Sequence, residues 1–71
     1  MTKQQAINMT YGDLLYHKTK TNTTGRVRVR VSGKCKTWKT RPDEFRLPVK
    51  YGLYQSFYIT HENADEWEVM S

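Results

Sequence analysis

Three arginines alternate with three valines from Arg26 to Val31, and Lys34, Lys36, Trp38, Lys39 and Arg41 follow within the next ten positions. Cationic side chains at every second position of an extended chain point the same way, and the chemistry open to them is contact with phosphates. An indole among them can stack on a base or pack under a guanidinium. The candidate binding set is therefore Arg26, Arg28, Arg30, Lys34, Lys36, Trp38, Lys39 and Arg41, with DNA or RNA as the expected partner. Lys18, Lys20, Arg46 and Lys50 are available to extend the patch.

Other chemistry finds few candidates. Cys35 and His17 are the conceivable nucleophile and base. The favoured strand register turns Cys35 inward, where thiols are inert, so no catalytic residue is assigned and no enzymatic activity is expected. One cysteine forms no internal disulfide, and the two histidines show neither CxxC nor HxxxH spacing. No metal or cofactor is expected. Asp43 and Glu44 are adjacent in a turn and diverge, while Glu62, Asp65, Glu66 and Glu68 lack the pattern of a calcium loop. No glycine-rich phosphate loop occurs.

The elements that position these residues must fit into 71 residues, read as one domain over 1–71. Such a chain buries only about 60% of the surface its unfolded form exposes, so the core must be efficient or helped by self-association. Charge is segregated. Residues 18–50 hold eleven of the twelve Lys and Arg against Asp43 and Glu44, whereas 51–71 hold four acids and no Lys or Arg. A basic middle and an acidic tail imply two faces with different roles. No apolar run approaches the roughly 20 residues of a membrane span, and no membrane partner is expected. The lone cysteine and polar N-terminus fit a reducing, intracellular setting.

Thr2 with Gln5 has the form of a capping box, which predicts a short helix over 3–9 within an N-terminal segment 1–10, closed near Gly12. Residues 13–17 predict a strand, and the threonine-rich stretch 18–25 a long, mobile hairpin loop. The alternation over 26–31 is the clearest strand signal. Residues 34–40 predict its returning partner. Pro42 is expected to break that strand and Pro48 to restrict 45–49 to an edge or bulge. Residues 53–60 predict an aromatic strand with Phe57 and Ile59 inward and Tyr54 and Tyr58 outward. A single helical turn over 61–65, capped by Thr60, precedes a closing strand over 67–70. The fold class is mainly β: a small SH3-like five-stranded barrel over 11–70, with a short N-terminal helix and one helical turn before the last strand.

Two hairpin registers are available around Ser32 and Gly33. A two-residue turn sets Val31, Val29 and Val27 opposite Lys34, Lys36 and Trp38. A three-residue loop with a glycine bulge sets Arg30, Arg28 and Arg26 opposite them instead, with Val29 meeting Cys35 and Val27 meeting Thr37. The second keeps apolar with apolar and is favoured. It places like charges directly across strands, each pair destabilising by roughly 0.2–1 kcal/mol, a repulsion that a polyanion would relieve.

The stretch GKCKTWKTRPDEFRLPVKYGLYQSFYIT, followed by NADEW, resembles small proteins of tailed bacteriophages that carry no established activity. The resemblance spans about residues 12–67 and rests on TWKTRP, FRLPVKYGL and FYIT. It implies the cytoplasm of an infected bacterial host. It also adds two expectations: an inhibitor or modulator that binds a host protein with an acidic surface, and a minor virion or assembly component.

Overall fold

Valine at every second position commits Gly25–Val31 (β2) to a strand with one buried face, and the computed structural model, which describes residues 1–23 and 25–69, places Val29 and Val31 in the core. Five further strands join it in one antiparallel sheet: Leu14–Asn22 (β1), Lys36–Trp38 (β3), Arg41–Tyr51 (β4), Gln55–Thr60 (β5) and Trp67–Val69 (β6). The sequence of neighbours is β6-β1-β2-β4-β5, with β3 also paired to β4. The sheet is not closed. Its free ends, β5 and β6, approach through side chains, with the rings of Phe57 and Trp67 centred 5.9 Å apart.

The expected hairpin between residues 26–31 and 34–40 is not formed. β2 pairs with β1, setting Leu15 opposite Val29, and with β4, setting Val31 opposite Val49. The pairs Arg30/Lys34, Arg28/Lys36 and Arg26/Trp38 therefore do not exist. The physical reason lies in the buried face. Leu15 and Val49 are fully buried apolar partners, whereas Cys35 and Thr37 would have offered a thiol and a hydroxyl. Nor do residues 18–22 of the expected loop form one. β1 runs through the threonines to Asn22, opposite Gly25, as their β-branched side chains favour; Thr24 lies outside the described residues. The register of this ribbon shifts between Tyr16 and Thr21, and His17 holds the bulge by accepting the N–H groups of Thr19 and Lys20 at Nδ1, 3.1 and 2.9 Å away.

Strand β4 organises the molecule. Arg46 pairs with Lys36 on one side and Thr60 on the other, and Lys50 with Arg30 and Ser56. β2 and β3 therefore lie end to end along one side of β4, with Ser32–Cys35 interrupting them. Pro42 and Pro48 both sit within this strand, contrary to the expected break and edge position. Pro48 is tolerated because the interruption faces it. Its carbonyl accepts Ser32 N–H at 2.9 Å, so its missing N–H would point to the same side, where the partner strand has left the ladder. Gly33 passes over the proline ring, and a Cβ there would stand 3.2 Å from Pro48 Cγ.

Leu15, Val29, Val31, Leu47, Val49 and Ile59 are fully buried, with Phe45 and Trp67 beside them. Ile59 is core as expected, but Phe57 is 38% exposed, because the open side of the sheet leaves its ring at the rim. Tyr54 and Tyr58 are exposed. The helix is shorter than expected, Lys3–Ile7 (α1), with both halves of its capping box formed by Thr2 and Gln5. It buries Ala6, and Lys3 Nζ donates to the Pro42 carbonyl. Gly12 has the left-handed φ of 94° expected of it, in the turn into β1. The helical turn before β6 is a 3-10 turn at Ala64–Glu66, slightly later than expected, because Asn63 Oδ1 first accepts the Thr60 N–H at 2.9 Å. Met70, the expected end of the last strand, lies outside the described residues. Among the described residues no helix is long and apolar enough to cross a membrane.

Candidate nucleic-acid interface

The alternation that buries Val29, Val31, Leu47 and Val49 sends Arg28, Arg30, Arg46 and Lys50 to the opposite face of β2 and β4. One row across that face reads Leu14, Arg30, Lys50, Ser56, each directly opposite the next. Arg28 lies on the same face opposite Tyr16. Arg28, Arg30 and Lys50, with Leu14 and the 88% exposed Leu53, line a recess of about 480 Å³. Its lining combines apolar Leu14 and Leu53 with three cations, which suits an anion attached to an apolar or planar body.

A second cationic cluster lies further along β4. Lys36 stands opposite Arg46, whose guanidinium carbon is 5.7 Å from the Trp38 ring centre and 5.2 Å from that of Tyr58. The two rings partly offset the Arg46 charge. Arg30–Lys50 and Lys36–Arg46 are thus like-charge pairs directly across strands. They stand in place of the Arg30/Lys34 and Arg28/Lys36 pairs expected from the sequence, and among the described residues no carboxylate forms an ion pair with Arg28, Arg30, Lys36, Arg46 or Lys50.

The eight residues singled out from the sequence therefore divide. Arg28 and Arg30 belong to the first cluster, Lys36 and Trp38 to the second. Lys34 is exposed in the interruption and Lys39 in the turn after β3. Arg41 pairs with Glu44 at 3.3 Å. Arg26 is committed within the protein: Nε donates to the His17 carbonyl at 3.0 Å, and the guanidinium pairs with Glu68 at 2.8 Å and lies over Tyr16. The hydrogen bond from Arg26 holds the Glu68 carboxyl below its usual range. Lys50 and Arg46 are more central to the face than sequence reasoning made them. The signal was available, since the alternation in FRLPVK puts both on the side opposite Phe45, Leu47 and Val49.

Cys35 and His17 share no hydrogen bond with one another. The ring of His17 is 3% exposed, with Nδ1 occupied by two backbone donors, Nε2 3.2 Å from Glu66 Oε1, and its edge against Trp67. Two donors on Nδ1 place the proton of the neutral ring on Nε2. Burial pushes the Cys35 thiol up, away from the reactive thiolate. Native protein at pH 8 is expected to react with iodoacetamide several-fold more slowly than the same protein in denaturant, as followed by mass spectrometry. Equal rates would show that Cys35 is not protected. Among the described residues no group of three or more His, Cys, Asp or Glu is placed to hold a metal ion.

No protein-family model matches this chain, no curated protein matches its sequence, and no solved structure matches its fold.

Proposed function

We propose that this domain is a non-enzymatic nucleic-acid-binding protein that uses the outer face of β2 and β4. The observation that carries the reading is the pair of unneutralised like-charge contacts, Arg30–Lys50 and Lys36–Arg46, on one face. Each costs roughly 0.2–1 kcal/mol, and a small domain gains nothing from them in isolation. A row of phosphates removes the cost and releases counterions. We read the sheet, with its meander order and 3-10 turn before β6, as an open form of the SH3-like barrel. The resemblance to phage proteins supports the cytoplasm of an infected bacterium as its setting.

Anisotropy of labelled DNA and RNA oligonucleotides tests the reading. About five phosphate contacts predict a slope of log affinity against log salt near −4. Undetectable binding of both at about 50 mM salt would eliminate it.

A second reading, binding to a host protein, is favoured by Leu53, 88% exposed at the basic recess, and by the next residue, Tyr54, 96% exposed. A partner retained from bacterial lysate after nuclease treatment would support it.

A further inference from the structure

Between the two cationic clusters the outer face is uncharged. Pro48 and Tyr58 stand opposite one another there, and with Ser32 and Ser56 they wall a recess of about 200 Å³. Lys50 lines one end of it. Arg46, its guanidinium carbon 5.2 Å from the Tyr58 ring centre, marks the other side. Lys50 lies four positions after Arg46 along β4, about 13 Å at about 3.3 Å per residue. The order along β4 is therefore cation pair, ring-walled recess, cation pair.

We infer that the nucleic acid bound is single-stranded, with one base lodged in the Pro48–Tyr58 recess and flanking phosphates on Arg30–Lys50 and Lys36–Arg46. This rests on the nucleic-acid reading above and adds the strandedness. Charge alone does not discriminate, because a duplex and a single strand both present phosphates. The recess does. In a duplex the faces of the bases are covered by their stacked neighbours, and only edges are open in the grooves. A ring-walled hollow between phosphate contacts meets a base face only when that base is unpaired or flipped. Ser32 and Ser56 form no side-chain hydrogen bond to another described residue. A hydroxyl both donates and accepts, so the edge of any base can be met and little sequence preference follows. Tyr58, 46% exposed with Arg46 near its ring, supplies a stacking surface already held in place.

The test compares one labelled oligonucleotide of about 12 nucleotides, single-stranded and annealed to its complement, at about 50 mM salt. The single strand is expected to bind about tenfold tighter than the duplex. Tyr58→Ala should weaken single-strand binding about tenfold, leaving duplex affinity and the salt slope unchanged, while Tyr58→Phe retains it. Tyr58→Leu keeps an apolar side chain without the ring and should behave as Tyr58→Ala. Circular dichroism checks that each variant is folded, and Trp38 emission should change on binding. Duplex bound as tightly as single strand overturns this inference and leaves the broader reading standing. So does unchanged single-strand affinity in folded Tyr58→Leu protein. Failure of both forms to bind overturns the broader reading as well.

Discussion

Arg30→Glu is expected to make the protein more stable and a poorer ligand for nucleic acid. Arg30 faces Lys50 directly across β2 and β4, and no described carboxylate pairs with either. A glutamate at this position turns repulsion into attraction and also lies near Arg28. The combined gain is on the order of 1 kcal/mol, screened by salt because the pair faces solvent. For a domain of this size that raises the melting temperature by about 4–8 °C. Lys50→Glu should do the same from the other strand. The double variant restores a like-charge pair of opposite sign, so its stability should return close to that of the parent. Oligonucleotide affinity should fall by on the order of tenfold in each single variant, and the salt slope by about one. A thermal melt and an anisotropy titration on the same preparations decide it. If Arg30→Glu were less stable, or bound as before, the face would be ordinary solvated surface.

Trp67→Ala is expected to cause a large loss of stability. Trp67 is 6% exposed at the start of β6, where its ring meets the edge of His17 at 4.9 Å and Phe57 at 5.9 Å. Its carbonyl accepts the Met1 amino group at 2.9 Å. The indole thus ties β6 to the bulge of β1 and to the rim of β5, across the gap where the sheet does not close. Burying so large a ring and then deleting it costs about 3–5 kcal/mol. A chain of 71 residues has roughly 4–11 kcal/mol to lose. Urea denaturation followed by circular dichroism should show a midpoint much lowered or a protein largely unfolded at 25 °C. A loss below about 1 kcal/mol would mean that the ring is dispensable and the gap is held by other contacts.

Much of this architecture is legible in the sequence where one short-range rule dominates. The capping box of Thr2 and Gln5, the valine face of β2 and the outward Tyr58 follow from local periodicity and caps, whereas Tyr54 is exposed because β5 starts only at Gln55 and leaves it in the turn. The partner of β2 does not. Choosing between β1, β4 and the following residues depends on which candidate offers the larger buried surface, a comparison among distant segments. The threonines from Thr19 to Thr23 carry polarity that suggests a loop and β-branching that suggests a strand, and pairing decides between them. Pro48 is misleading for a related reason. A proline is excluded from a central strand only if a neighbour needs its N–H, and here the neighbour is interrupted. The basic face survives these errors because alternation, rather than pairing, determines which side each arginine occupies.

The ladder between β1 and β6 has a consequence for how the chain folds. It joins Leu15 to Val69, whereas β4 and β5 meet through a short turn between Tyr51 and Gln55. Bringing the two ends of the sequence together carries the largest loop-closure entropy in the molecule, and such contacts form after the local ones. The β1–β6 seam is therefore expected to form late, and substitutions in it to speed unfolding more than they slow folding, the reverse holding for the β4–β5 hairpin.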